Sequence, residues 1–370
     1  MTHRERFNRV FTFQPVDRIP ILFFGTWPQT RERWRQEGYT DFVDSGGDQG
    51  PQLPGMDPDW EPGLWNEHGI VRIGPIGDQQ WEILEKRDNG IMVVKNSLGR
   101  VDIVREDGAS IPHTLTYPLE PTRESWSHFK KYFDVQIDSR YTPGWEKIAD
   151  AQNARDAVTC FIGGSLYGWV RDYMGVEQLS YLMYDDPELL EEIIITIEQH
   201  MMRLTVPMLE RMKFDFVYFL EDCCGSSGPL FSPTIYKRLF DRHYRNMIRF
   251  YKEHGVPLAL IDSDGFAEPM IQCWLDSGFD IIFPIEVGKW GANAVCLRQK
   301  FGNHLRMFGG VDKRLIYTDE AALRRHLLTL KPAVDQGGYI PIPDHRITPE
   351  TSYRQMARYI ELFDEVFNKA

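Results

Sequence analysis

Residues 258–286 read LALIDSDGFAEPMIQCWLDSGFDIIFPIE, and this stretch decides the fold. Two short apolar runs, 258–261 and 280–285, flank a longer segment whose apolar residues recur at helical spacing. Strand, helix and strand in this order are typical of a parallel sheet, because parallel neighbours need a crossover connection. A carboxylate follows each run, Asp262 after the first and Glu286 after the second. The stretch therefore predicts a βαβ unit with an acid at each strand end.

The same alternation continues through the second half of the chain. Several of its helical segments begin with a capping residue and a proline, as at Asp186-Pro187 and Ser232-Pro233. The predicted strands of this half are 157–162, 214–220, 258–261, 280–285, 305–308 and 338–342. With 19–24 and 69–73 as earlier candidates, eight strands predict a (β/α)₈ TIM barrel of class α/β. The alternative is an open doubly wound sheet. The sequence contains neither a G-x-G-x-x-G turn nor a Walker A motif that would favour this alternative.

The first half of the chain differs from this pattern. A Gly- and Pro-rich stretch, 45–63, predicts a loop, and 81–87, 91–96 and 100–104 predict a β-meander with a turn at Asp88-Asn89-Gly90. We expect one barrel domain over residues 1–370, with a loop and β-meander insertion at about 40–110.

Composition and charge exclude several classes of protein. The 54 Asp and Glu against 42 Lys and Arg give a formal charge of −12, which repels nucleic acid. Five cysteines without C-x-x-C spacing, and no signal peptide, predict a cytoplasmic protein. No apolar run is long enough for a bilayer. A homodimer is the default expectation, because closed two-fold assemblies are the commonest soluble oligomers.

Carboxylates follow five successive predicted strands. In a (β/α)₈ barrel the carboxyl ends of the strands meet at one rim that carries the active site, so we expect these groups to converge. The strand ends lead into Glu221-Asp222, Asp262-Ser263-Asp264, Glu286, Asp312 and Asp344-His345-Arg346.

Asp262 and Asp264 form the sharpest local feature of this rim. Residues two apart in extended backbone point to the same side, so both carboxylates would face one ligand. Alternatively, Asp264-Gly265 is a turn and Asp262 caps the next helix. Carboxylates clustered in a partly dry cavity need a metal, a cationic ligand or a proton, because like charges raise one another's pKa.

Other residues at the strand ends are candidates for the same site. His345 would serve as metal ligand or general acid/base, unless it bonds only its own loop. Cys223 would supply a thiolate, although a buried small hydrophobe is the alternative. Trp27 and Tyr167 are candidates for substrate contact, with packing as the alternative, and Lys313 is another, with a solvated helix start as the alternative. Asp312 and Arg346 complete the set of candidates for substrate contact.

Nine motifs occur in order along most of the chain. They are Arg4-Glu5-Arg6, 15–20, 186–189, 228–233, 262–265, 283–286, 309–314, 337–341 and Asp344-His345-Arg346. Their order and spacing resemble the uroporphyrinogen decarboxylase superfamily, which includes porphyrinogen decarboxylases and corrinoid-linked methyltransferases. The resemblance implies a (β/α)₈ barrel.

Two departures from the family bear on the reaction. Residues 23–28 read FFGTWP, where uroporphyrinogen decarboxylases carry an arginine-bearing segment that holds the acidic side chains of the porphyrinogen. An acidic rim also repels such a substrate. Asp262-x-Asp264 stands where methyltransferases that act with coenzyme M carry a zinc-binding His-x-Cys pair, so thiol methylation is not supported.

We therefore expect a corrinoid-dependent methyltransferase of the O-demethylase type. It would move a methyl group from a small methoxylated or methylated substrate to a corrinoid on a partner protein, which the resemblance implies. A divalent metal, with zinc as one candidate, would polarise the leaving oxygen. The predicted catalytic residues are Asp222, Asp262, Asp264 and His345. The predicted metal ligands are Asp262, Asp264, Glu286, His345 and Cys223.

Two other functions remain open at this point. One is a decarboxylase of the same superfamily acting on a small carboxylated substrate, in which His345 assists proton transfer and Lys313 or Arg346 holds the substrate. The other is a non-catalytic ligand-binding barrel, because a fold alone does not fix a reaction.

Overall fold

The computed structural model describes residues 1–39, 53–58, 70–106, 111–134 and 136–369. Its strands are β1 Glu82–Lys86, β2 Ile91–Lys95, β3 Val101–Arg105, β4 His113–Thr116, β5 Cys160–Ile162, β6 Phe216–Leu220, β7 Cys224–Gly225, β8 Gly228–Pro229, β9 Leu258–Asp262, β10 Ile281–Ile285, β11 Arg306–Val311 and β12 Tyr339–Pro343. Its α-helices are α1 His3–Phe11, α2 Pro28–Gln36, α3 Arg123–Phe129, α4 Ile137–Arg140, α5 Trp145–Asn153, α6 Gly168–Met174, α7 Val176–Asp185, α8 Pro187–Arg211, α9 Pro233–Leu239, α10 Asp241–Glu253, α11 Glu268–Ser277, α12 Ala294–Phe301, α13 Arg314–Thr318, α14 Glu320–Asp335 and α15 Tyr353–Phe367.

The six strands predicted in the second half form one parallel sheet in the order β12-β11-β10-β9-β6-β5. Helices connect these strands, and side chains cap the starts of four of these helices, α8, α9, α12 and α14. The Asp186 side chain accepts the N–H of Leu189 at the start of α8, and Ser232 accepts that of Ile235 at the start of α9. The prediction of repeated βα units is thus confirmed for this part of the chain.

The sheet curves around helix α1. The Phe7 ring lies 5.8 Å from Phe216 on β6 and 6.0 Å from Phe308 on β11. These strands are three places apart, which would separate them by roughly 14 Å in a flat sheet. Buried residues on the concave side form a separate inner cluster: Phe7, Val10, Phe11, Leu22, Val158, Cys160, Phe216, Tyr218, Leu258, Leu260, Ile281, Phe283, Phe308, Ile340 and Ile342. A larger outer cluster fills the space between the sheet and the helices.

The prediction of a strand at 19–24 is wrong. Pro20 has no N–H, and side chains take the neighbouring amides: Ile19 N–H donates to Asn368 Oδ1 and Ile21 N–H to Asp57 Oδ2. Beyond this segment, Thr26 forms a single parallel bridge with Ile347. Ile347 lies beyond the end of β12 (Tyr339–Pro343), so this bridge does not add the segment to the ladder of the sheet.

The eighth strand candidate, 69–73, is also not a strand where the structure describes it. Residue 69 lies outside the described residues, and Val71 makes one isolated antiparallel bridge with Tyr141. Within the described ranges, the parallel sheet therefore has six strands, and its closure into a barrel of eight is not shown.

The β-meander is present and has one strand more than predicted. Strands β1 to β4 form an antiparallel sheet in sequence order, with Asn89 at a φ of +64° in the turn between β1 and β2. Strand β4 was not predicted, and most of the predicted loop 45–63 lies outside the described residues. Among the described helices, none is long and apolar enough to span a membrane.

Candidate active site at the carboxyl end of the sheet

Asp262 ends strand β9 on the concave side of the sheet. Leu258 and Leu260 belong to the inner cluster, so the alternation of side chains directs Asp262 inward as well. The Tyr218 hydroxyl on the neighbouring strand donates a hydrogen bond to Asp262 Oδ2. Burial, together with the charges of Asp264 and Asp222, raises the pKa of Asp262 well above its usual range. The region around this residue, at the carboxyl ends of the six parallel strands, is called the mouth below.

Three carboxylates meet at the mouth. Asp222, Asp262 and Asp264 each place an oxygen within 4.8 Å of the oxygens of the other two, and they are called the acidic cluster below. Asp264 Oδ1 is buried and has no hydrogen-bond partner. Burial and the charge of Asp264 raise the pKa of Asp222 too. This arrangement offers oxygen ligands to a cation or to a proton.

A glycine makes the turn after Asp264. Gly265 has a φ of +91°, and a Cβ placed on it would lie 2.8 Å from the Gly225 carbonyl oxygen. Its N–H donates to Glu286 Oε2 at 2.7 Å. Glu286 is half-buried, and burial raises its pKa. The Asp-x-Asp-Gly sequence thus bends the chain so that Asp264 and Glu286 lie on neighbouring loops.

His345 reaches the acidic cluster from the opposite side of the mouth. Its Nε2 lies 3.2 Å from Asp264 Oδ2. The imidazole meets Phe24 edge-on with ring centres 5.2 Å apart, and Trp27 lies 6.4 Å away. These aromatic contacts restrict the orientation of the ring, so the carboxylate contact is held in place by packing.

Two cations lie near the same acids. The Arg346 guanidinium sits 5.3 Å from the centre of the Trp27 ring, and its charge acts on Asp262. Lys313 is half-buried, and burial lowers its pKa although the charges of Asp344 and Glu286 oppose this. The charges of Lys313 and Arg346 therefore act on acids at the mouth, and Trp27 lies beside Arg346 and His345.

The structure does not bring three predicted residues to the acidic cluster. Tyr167 lies in the outer cluster, with its ring 4.8 Å from that of Phe231. Cys223 is also in the outer cluster, where a hydrogen bond with Cys224 and burial raise the pKa of its thiol well above the usual range. Asp312 is paired with Arg314, which donates two side-chain hydrogen bonds at 2.8 Å.

Two rim carboxylates accept hydrogen bonds from backbone N–H groups instead of facing the mouth. Glu221 accepts the N–H groups of residues 166, 167 and 168, at 3.1, 3.0 and 3.2 Å, ahead of helix α6. Asp344 accepts the N–H of Val287 at 2.9 Å and that of Lys313 at 3.1 Å. Both side chains are buried. Their hydrogen bonds tie neighbouring loops together, which fixes the shape of the rim.

Four residues at the mouth were missed by sequence reasoning. Tyr218 and Leu220 occupy inward positions of β6, and strand alternation could have identified them. Leu220 pairs in register with Asp262 and is 40% exposed, although the rest of β6 is buried. Phe24 was read as part of a strand. Arg171, from α6, contacts Asp222 across 51 positions, and no sequence pattern signals that pair.

Comparisons with known proteins establish the fold alone. A scan of protein-family models finds no match, and a search of curated proteins finds none either. The chain is similar in structure to a methyltransferase from Methanosarcina mazei, with a TM-score of 0.58 and 14% identity over 99% of both chains. It is less similar to a B12-independent methionine synthase from Shewanella sp. W3-18-1 in complex with selenomethionine. There the TM-score is 0.37 and the identity 12%, covering 77% of this chain and 75% of that one.

Proposed function

We propose that the protein is a corrinoid-dependent methyltransferase of the O-demethylase type, in the uroporphyrinogen decarboxylase superfamily. It would take a methyl group from a small methoxylated or methylated substrate and pass it to a reduced corrinoid on a partner protein. The acidic cluster is the observation that carries this proposal. It brings three carboxylates together at the carboxyl end of the sheet, and one of their oxygens, Asp264 Oδ1, has no hydrogen-bond partner. The fold shared with a methyltransferase supports it over the full chain length.

The donor set of the acidic cluster fits a divalent cation. Asp222, Asp262 and Asp264 would hold it. Asp264 Oδ1 is buried without a hydrogen-bond partner, so this atom is available as a ligand. An all-oxygen set suits a hard cation such as Mg²⁺ or Mn²⁺ better than zinc, which favours nitrogen and sulfur. Bound there, the cation would supply Lewis-acid polarisation of the leaving oxygen.

The chain's own residues would position the substrate and the acids. His345 and Glu286 would hold the loops of the acidic cluster through Asp264 and Gly265. Leu220 and Phe24 would contact the apolar body of the substrate, since Leu220 is the exposed apolar side chain beside Asp262. The reduced corrinoid of the partner protein would supply the nucleophile that accepts the methyl group, and the electron pair of the broken C–O bond would stay on the substrate oxygen. Binding must therefore leave the methyl carbon open to the partner protein.

The same proposal includes a closed (β/α)₈ barrel. The Thr26–Ile347 bridge lies beside the end of β12, and Leu22 contributes to the inner cluster. These two contacts support residues 19–27 as a non-strand segment that would lie where the barrel needs its first strand.

A decarboxylase is the second candidate. Lys313 and Arg346 favour it, because both offer a positive charge to a substrate carboxylate near the acids. His345 would then assist proton transfer to the carbanion left after CO₂ departs.

One experiment separates the two candidates. Reduced cobalamin is the methyl acceptor, methyl ethers and methylated amines form one substrate panel, and small carboxylic acids form another. We expect methylcobalamin from the wild type, and at least about 100-fold less from an Asp262→Asn/Asp264→Asn double variant. Asp335→Asn, at an exposed aspartate on α14, is the matched control and should act like the wild type. CO₂ release from an acid, with no methylcobalamin from any donor, would replace the methyltransferase with the decarboxylase.

A further inference from the structure

Asp222 is held in an unusual backbone conformation. Its φ is +42°, a left-handed value that residues other than glycine seldom adopt. The N–H groups of Glu221 and Asp222 both donate to the carbonyl oxygen of Asp262, at 2.8 and 3.3 Å. The Asp264 N–H points to Asp222 Oδ1 at 3.4 Å. This bend turns Glu221 toward α6 and Asp222 toward the mouth, so adjacent carboxylates face different ways.

Arg171 on helix α6 contacts both the backbone and the carboxylate of Asp222 at this bend. Its Nη1 donates to the main-chain oxygen of Asp222 at 2.7 Å, and its Nη2 lies 3.7 Å from Asp222 Oδ2. The Arg171 side chain is 21% exposed, and it also donates to the Asp172 carboxylate. One guanidinium therefore contacts both the backbone and the carboxylate of the same residue. This is the geometry that a planar, multi-donor side chain provides and a lysine does not.

Helix α6 is itself fixed against the same loop. Glu221 caps the turn before α6 through three N–H groups. A Cβ on Gly168 would lie 2.8 Å from the Leu220 carbonyl oxygen, so the helix start touches the end of β6 directly. Arg171 thus projects from a support with little freedom to move.

We infer that Arg171 is a positioning residue that holds Asp222 in the acidic cluster, and its role in cation binding rests on the proposed function. It touches no other member of the cluster through a recorded hydrogen bond or ion pair among the described residues. Its effect on a bound cation would pass through the backbone bend and the orientation of the Asp222 carboxylate. Groups that orient a metal ligand typically change metal affinity by about 10- to 100-fold.

Replacing Arg171 should change cation affinity in opposite directions, depending on whether its charge or its positioning of Asp222 matters more. A positive charge near the acidic cluster repels a cation, so removing it should tighten binding if charge alone matters. If position matters more, the same change should weaken binding because Asp222 leaves the cluster. Arg171→Met removes the charge, whereas Arg171→Lys keeps it and removes the fork of donors. Comparing the two variants separates the effects.

The test uses the full chain and two measurements. Crystal structures of the wild type, Arg171→Met and Arg171→Lys show where Asp222 lies, and titration with Mn²⁺ alone gives the affinity. Arg238→Met is the matched control, because Arg238 also donates to one main-chain oxygen, that of Met183 at 2.8 Å, but on another surface. Its affinity should equal that of the wild type.

We expect both Arg171 variants to move the Asp222 carboxylate out of the cluster and to weaken Mn²⁺ binding by about 10- to 100-fold. An unmoved Asp222 in Arg171→Met would overturn the inference. Tighter Mn²⁺ binding by Arg171→Met, with Arg171→Lys unchanged, would also overturn it by assigning the effect to charge. If the wild type binds no Mn²⁺, the proposed metal fails, and the position of Asp222 in the crystal structures alone decides the role of Arg171.

Discussion

His345 lies 3.2 Å from Asp264, although the strands before them, β12 and β9, are three places apart in the sheet. A flat sheet would separate those strands by roughly 14 Å. The contact exists because the sheet curves around α1, as the Phe7 contacts to Phe216 and Phe308 also indicate. Curvature therefore gathers the carboxyl ends of distant strands into one mouth.

Replacement of His345 tests the value of this contact. His345→Phe keeps a ring against Phe24 and Trp27 but removes the nitrogen beside Asp264. We expect methyl transfer to fall by about 10- to 100-fold while thermal stability changes little. His345→Gln retains a donor and should recover part of the rate. Equal rates in the wild type and His345→Phe, measured with reduced cobalamin, would show that the imidazole has no part in the reaction.

The Tyr218 hydroxyl should matter for activity as well as for stability. Tyr218→Phe leaves the buried Asp262 without its donor, which should cost about 1–3 kcal/mol of unfolding free energy. Tyr339→Phe is the control, because the Tyr339 hydroxyl donates to the Gly309 carbonyl oxygen of β11 at 2.9 Å and not to a member of the acidic cluster. Urea unfolding should show a loss for both variants. Only Tyr218→Phe should also reduce methyl transfer, and an equal reduction in the control would contradict a specific role.

Alanine variants of two glycines distinguish the cost of a left-handed backbone from the cost of a steric clash with the new Cβ. Gly265 and Gly255 have similar φ values, +91° and +86°, but a Cβ on Gly255 meets nothing within 4 Å. Gly255→Ala should cost about 1–2 kcal/mol from the left-handed backbone alone. Gly265→Ala should cost more, since its Cβ would press on the Gly225 backbone, and it should disturb Asp264. Equal losses in urea unfolding would mean that the backbone of β7, which contains Gly225, moves aside at little cost.

His200 should contribute to destabilisation in acid. Burial, aided by the charge of Arg140, lowers the pKa of His200 from 6.5 to about 4. Below pH 6.5 the unfolded chain gains a proton that the folded chain does not, so stability falls as the pH drops from 6.5 to about 4. The loss from this group amounts to about 3 kcal/mol.

His200→Gln removes that titration and can keep a donor for the Ile73 carbonyl oxygen, which lies 2.9 Å from Nε2. The unfolding free energy of the variant should therefore fall less steeply than that of the wild type between pH 6.5 and 4. Parallel curves over this range would show that His200 titrates normally in the folded protein.

Much of the fold could be predicted because it depends on local patterns. Apolar runs and caps identified all six parallel strands, since periodicity and capping act within a few residues. The segment 19–24 has the same apolar pattern, but its amides pair with Asp57 and Asn368, which are remote in sequence. The apolar pattern of a short segment cannot show that side chains remote in sequence will accept hydrogen bonds from its amides.

The site was predictable only in part for the same reason. Carboxylates after strands predicted the acidic cluster, but the sequence could not show that Glu221 and Asp344 are occupied by backbone N–H groups. Nor could it show that Cys223 faces the outer cluster, because one strand-end loop can direct neighbouring side chains to opposite sides. Which acids face the mouth is decided by tertiary contacts such as that between Arg171 and Asp222.

Metal content is the most direct test of the acidic cluster as a cation-binding centre. The wild type and the Asp262→Asn/Asp264→Asn double variant are purified without oxygen and analysed for divalent metals before and after loading with Mn²⁺ and Zn²⁺. We expect close to one metal ion per wild-type chain and loss of that ion in the double variant, with Asp335→Asn unchanged. A wild-type protein that stays free of metal after loading, or a double variant that retains it, would contradict the proposed centre.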